Sequence, residues 1–176
     1  MSAHRFIYML AGILLLLSCG SDNNAPIDDP GNTTNHYLQL QPNGLNAIKV
    51  SCTEENFVFP FQIKAVGNGS NQGGEAQINS WSEDELKAYN NKEKTSYVLL
   101  PSSLYSLTST EVSFKEGIST MDVEVKFNPS KVFAEFREKT VEYVIALKLS
   151  SDKIQVRDSQ SRILLSISFD YPTVGL

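Results

Sequence analysis

Trp81, Tyr89, Tyr97 and Tyr105, with Asn90 and Asn91 among them, are the residues of this sequence whose types could act on a ligand. Sugars present apolar C–H faces. Aromatic rings bind sugars by burying those faces, while neighbouring side-chain amides take the hydroxyls. A ligand site on Trp81, Tyr89, Asn90, Tyr97 and Tyr105 is one expectation. The other is that the same rings are core, since each buries about 150–250 Å² and a small domain needs that area. Trp81 would then staple a helix, Tyr89 would pack that helix on a sheet, and Tyr97 and Tyr105 would bracket the corner at Leu100-Pro101.

Other chemistries find less to work with. His4 lies in an export leader, which leaves His36 as the remaining histidine, so no His/Cys cluster with metal-ligand spacing exists. A Ser-His-Asp or Cys-His nucleophile would have to use His36, beside a polar tether. The stretch GNGSNQGG, residues 67–74, lacks the lysine and the strand–helix context of a phosphate loop. Glu83, Asp84 and Glu85 are adjacent, and adjacent residues on a helix point different ways, so they do not read as a glycosidase pair. The expectation is a non-enzymatic protein with no cofactor and no metal.

The elements that must position these residues begin with a helix. Ser82 and Glu85 form the capping-box pattern S-x-x-E, and Trp81 and Leu86 are placed for a hydrophobic staple. Glu83, Asp84 and Glu85 suit the first turn, and Lys92 and Lys94 suit the other end. Leu86 and Tyr89 share a face. Asn90-Asn91 offers a stop, because asparagine tolerates the left-handed conformation. Strands account for the rest. Leu38 and Leu40 alternate with polar residues, Pro42-Asn43-Gly44 turns, and Ile48, Val50 and Cys52 alternate again, which reads as a first hairpin. Phe57, Phe59, Phe61, Ile63 and Ala65 share a face, and Pro60 between them suggests a sheet edge or bulge. Ala76 and Ile78 point inward from the strand before Trp81. Val112 with Phe114, and Val123 with Val125 and Phe127, have period two. Asn128-Pro129 breaks the pattern, and residues 132–137 read as a loop carrying a helical turn. Residues 143–149 are apolar on both faces and belong in the centre of a sheet. Residues 163–169 close the domain after a polar hairpin connection. The fold class is all-β: an immunoglobulin-like β-sandwich of about eight strands with one short inserted helix.

Composition agrees. In 176 residues, apolar content is 41% and charged content 20%, near globular averages. The net charge of −5 makes the chain a poor partner for nucleic acid. His4 and Arg5 precede an apolar run, residues 6–17, of signal-peptide length and too short to span a bilayer. The run ends Leu16-Leu17-Ser18-Cys19-Gly20, which resembles the bacterial lipobox. The resemblance implies cleavage before Cys19 and a lipid on it, hence a membrane anchor. Cys52 then has no disulfide partner and reads as a small buried hydrophobe. Residues 20–35 are polar and rich in Asn, Asp, Pro and Gly, a tether. Asp22, soon after the cysteine, resembles the surface-export signal of Bacteroidetes lipoproteins. The organisation is a signal peptide (1–18), lipidated cysteine and tether (19–35), sandwich domain (36–172) and tail or linker (173–176).

Tyr89-Asn90, the run Tyr97-Val98-Leu99-Leu100-Pro101, Tyr105 and Gly117 resemble the pattern of a Bacteroidetes lipoprotein domain of unknown function, number 1735 in that series, over about residues 36–171. Its members are N-terminal sandwich modules of exported lipoproteins, followed by a glycoside-hydrolase-like or lectin-like domain and associated with glycan capture. They have no established catalytic residues. The resemblance implies an accessory binding or spacer module in glycan capture at the outer membrane. It also implies that relatives continue past Asp170, so that this chain either stands alone or is part of a longer product. The alternative is a structural or adhesin-like module whose partners are envelope proteins, using an edge strand or the segment around Phe57 and Phe61. A weaker third reading is an accessory fragment of a glycoside hydrolase.

Overall fold

The computed structural model describes residues 36–68, 73–137 and 141–170. The leader, Cys19, the tether and the tail from residue 171 lie outside the described residues.

Alternating apolar side chains place the strands. In chain order these are β1 (Tyr37–Gln41), β2 (Gly44–Ser51), β3 (Phe57–Val66), β4 (Gly74–Ser80), β5 (Val98–Leu99), β6 (Tyr105–Leu107), β7 (Glu111–Phe114), β8 (Thr120–Phe127), β9 (Tyr143–Ser150), β10 (Gln155–Val156) and β11 (Arg162–Asp170). Helix α1 (Glu83–Glu93) lies between β4 and β5, and helix α2 (Pro129–Phe136) between β8 and β9. One sheet has the order β10-β1-β3-β8-β6. The other has the order β2-β11-β9-β4-β7, with β5 also on β9. Leu38, Leu40, Phe61, Ile63, Val123 and Val125 from the first sheet meet Ile145, Leu147, Ile163 and Leu165 from the second in one core. The all-β sandwich read from the sequence is the observed fold. Its strands are more numerous than the expected eight because β5, β6 and β10 are two or three residues long, too short to show a period.

The first hairpin does not form. β1 pairs antiparallel with β3, whereas β2 pairs parallel with β11 in the opposite sheet. Gly44, at φ 73°, turns the chain from one sheet to the other. Pro60 does not mark an edge strand either, for β3 is flanked by β1 and β8. The β1 ladder ends at Gln41 opposite Gln62, so Pro60 sits beyond it, where the missing N–H is not needed. Asn128-Pro129 both ends β8 and starts α2: the Asn128 side chain caps the helix from Lys131 N–H, and Pro129 takes the first turn. This second helix puts Val132 and Phe136 into the core. Within the connection from β9 to β11, β10 crosses to the first sheet and pairs with β1.

Strand β9 is central, as its sequence implies, and buried on both faces. Ile145, Leu147 and Leu149 face the main core. Val144 and Ala146 face outward, with Leu164 of β11, and α1 covers them. Along one edge of β9 lie β4, reaching Leu147, and then β5, beginning at Val144 and Tyr143. The helix leaves and rejoins the same strand edge, which holds it against the sheet at both ends.

Candidate functional site

The expected capping box is present at the start of α1. Ser82 Oγ accepts from Glu85 N–H at 3.3 Å, and Glu85 Oε2 accepts from Ser82 N–H at 2.8 Å. Lys148 of β9 donates to the other carboxylate oxygen of Glu85 at 2.7 Å. The Lys148 hydrogen bond first, and the Ser82 backbone second, hold the Glu85 carboxyl below its ordinary value. Trp81 and Leu86 are both buried in the cluster under α1, where a staple would place them.

The structure separates the sequence candidates. Trp81, Tyr89, Asn90 and Tyr97 gather at α1, and Tyr105 lies in the other sheet. Trp81 is 4% exposed. Its Nε1–H donates to the Leu147 carbonyl at 3.1 Å, so the ring bridges α1 and β9. Tyr89 meets Trp81 edge-on, with centroids 5.6 Å apart, and stacks on Tyr97 at 6.4 Å. Burial first, then the Glu93 carboxylate, raises the Tyr89 phenol. Burial and the charge of Glu142 raise Tyr97, against a hydrogen bond with Ser166. Asn90 does not stop the helix in the left-handed conformation. Lys94 takes that position, at φ 59°. The Asn90 side chain instead ties down the following loop: Oδ1 accepts from Thr95 Oγ1 and from Tyr97 N–H, and Nδ2 donates to the Tyr97 carbonyl. Tyr105 packs against the main core, and its hydroxyl shares a hydrogen bond with Ser80 Oγ at 2.7 Å.

Two open grooves flank these residues. The first, about 350 Å³, runs between α1, the start of β2 and the start of β11. Its apolar wall is Leu45, Ala88, Leu164 and the accessible edges of Trp81 and Tyr89. Its polar groups are Glu85, Lys92, Glu93, Asp158, Ser159 and Arg162. The Arg162 guanidinium lies over the Trp81 ring, 5.2 Å from its centroid. The second groove, about 420 Å³, lies where β3, β8 and β6 end beside α2, and Tyr105, Phe57, Val58 and Lys131 line it. Arg162 and Asp158 were missed by reasoning from the sequence. Asp158 falls in a polar connection whose path across the sheets carries no local signal, and Arg162 opens the strand that follows it. Among the described residues, no group of three His, Cys, Asp or Glu side chains is placed to hold a metal.

A family model described as an N-terminal domain matches residues 29–156. The chain belongs to that N-terminal-domain family. No protein of curated function matches the sequence. Solved structures share this N-terminal domain's fold. A candidate carbohydrate-binding protein from Bacteroides ovatus aligns with a TM-score of 0.62 at 15% identity, covering 75% of this chain and 36% of that one. EndoBT-3987 from Bacteroides thetaiotaomicron, solved with a Man5GlcNAc product, aligns at 0.56 and 17% identity, covering 76% and 31%. A Bacteroides ovatus protein of unknown function aligns at 0.55 and 12% identity, covering 77% and 45%. This chain therefore spans less than half the length of these structures. At such identities the likeness is one of fold.

Proposed function

We propose that this N-terminal domain is a non-catalytic accessory module in glycan handling at the bacterial outer membrane, anchored through a lipid on Cys19. It is the sandwich module of the Bacteroidetes lipoprotein series numbered 1735, and its ligands are glycans held for neighbouring envelope proteins. The observation that carries the reading is the fold likeness to the Bacteroides ovatus candidate carbohydrate-binding protein over 75% of this chain. The groove beside α1 supports it, because it sets polar side chains against an apolar wall.

The test has two arms. The full chain, purified in detergent, is screened against a panel of oligosaccharides by titration, and saturable binding is the expected result. No binding to any member would overturn the glycan reading and leave a protein-binding or spacer role. In a bacterial host with lipoprotein processing, wild type should fractionate with membranes and Cys19→Ala should not. Equal membrane retention of the two would overturn the anchor.

A further inference from the structure

We propose that the groove beside α1 is the ligand site of this domain, and that it takes an uncharged pyranose held between Arg162 and Asp158. The proposal rests on the glycan reading above and narrows it to one place and one class of sugar.

The inference comes from which polar groups are already engaged. Glu85 is occupied on both oxygens, by Lys148 and by Ser82. Lys92 and Glu93 face each other at 3.3 Å. Among the described residues, Arg162 has neither ion pair nor hydrogen bond from its guanidinium. The guanidinium faces the Trp81 ring instead. The Asp158 carboxylate is likewise unengaged, since only the backbone carbonyl of that residue accepts hydrogen bonds. The ring attracts the guanidinium without using its N–H groups, which leaves a planar donor fork. Asp158, at the start of the short turn before β11, supplies an acceptor in the same groove. A fork of donors and a two-oxygen acceptor together match vicinal hydroxyls, each of which both donates and accepts.

Charge selects against an acidic ligand. Once the engaged groups are paired off, one cation and one anion remain. A carboxylated sugar that gained Arg162 would meet the Asp158 carboxylate. The apolar side is Leu45, 49% exposed, with Ala88 across the groove. That wall suits the C–H face of a pyranose. In the second groove the Tyr105 hydroxyl is engaged with Ser80, Lys126 with Glu124, and the Asn128 amide oxygen with Lys131 N–H. Its remaining charged groups are Lys131 and Glu55, and among the described residues no aromatic ring holds that cation as Trp81 holds Arg162.

The experiment titrates the full chain in detergent with neutral oligosaccharides and with their uronate- or sialate-bearing counterparts. It is repeated for Arg162→Gln, Asp158→Asn and Lys131→Gln, with a thermal melt for each to confirm folding. Neutral sugars should bind wild type, and each of the first two variants should weaken binding about tenfold or more. Lys131→Gln should leave it unchanged. Undiminished binding in folded Arg162→Gln and Asp158→Asn would overturn the site while leaving the glycan reading standing. Preference for the acidic sugars would overturn the class of ligand. Absence of binding to any sugar by wild type would overturn both this inference and the reading beneath it.

Discussion

Asn90 engages both backbone polar groups of Tyr97: its Nδ2 donates to the Tyr97 carbonyl at 2.8 Å, and its Oδ1 accepts from the Tyr97 N–H at 3.2 Å. A side-chain amide here does what a neighbouring strand would do, pairing with a backbone that has just left a helix and is about to become β5. Asn90→Asp keeps the acceptor but turns the donor into a second oxygen aimed at a carbonyl. This variant should lose about 2 kcal/mol, and Asn90→Ala somewhat less. Urea denaturation is the measurement, and a midpoint unchanged in both would contradict the role of the bridge.

This bridge also marks the limit of what the sequence discloses. The helix start was legible because a capping box and staple are local: Ser82, Glu85, Trp81 and Leu86 lie within one turn and a half. Strand faces were legible because burial alternates, as in Phe61, Ile63 and Ala65 or Val123 and Val125. The pairing of those strands was not. β1 and β2 look like a hairpin from their turn residues, but the buried faces they offer belong to opposite sheets, and only long-range packing decides that. The aromatic candidates were legible as types and illegible as places. The Trp81 and Tyr97 rings cover β9, and the groups left unengaged, Asp158 and Arg162, come from a connection with no periodic signal and from the first position of the strand after it.

Trp81→Phe removes the indole N–H donated to the Leu147 carbonyl inside the cluster under α1. It should cost about 1–3 kcal/mol. Because Trp81 is the single tryptophan in the sequence, its fluorescence in wild type reports the exposure of this cluster directly. The variant should be followed by circular dichroism instead. A shift of the urea midpoint too small to measure would mean that the hydrogen bond contributes nothing net.

Ser82→Ala removes the acceptor for Glu85 N–H and should cost about 1 kcal/mol, read from the thermal midpoint. Because Glu85 also holds Lys148, the effect should be smaller than that of Glu85→Ala, which releases the cap and the ion pair together. The reverse order would show that the Lys148 contact is idle.

The lowered Glu85 carboxyl fixes the sign of an acid dependence. Its folded value lies below the ordinary carboxylate value of 4.5, so the folded state binds fewer protons there than the unfolded state does. The stabilisation is complete above 4.5 and declines as pH falls through the folded value. Unfolding free energy measured against pH should therefore fall less steeply on the acid side in Glu85→Gln than in wild type. Parallel acid limbs would contradict the assignment.

Cys52 is 8% exposed, and its backbone N–H donates to the Asp170 carbonyl, where the last strand passes the end of β2. Cys52→Ser places a hydroxyl at that buried position and should cost about 1–3 kcal/mol. In native wild type, labelling by a thiol reagent should be slow and should accelerate with denaturant. Immediate labelling without denaturant would contradict the burial.

The parallel ladder between β2 and β11 sets an order in time. Gly44 lies opposite Ile163, and Ser51 lies opposite Asp170. A chain emerging from the ribosome therefore presents β2 early and holds it without a ladder partner until residues 163–170 are made. Contacts so far apart in sequence form slowly. A nascent chain halted before Arg162 would lack Ile163, Leu165 and Ile167, and the core could not shut. The sandwich is thus latched by β11, and closure follows synthesis of that strand.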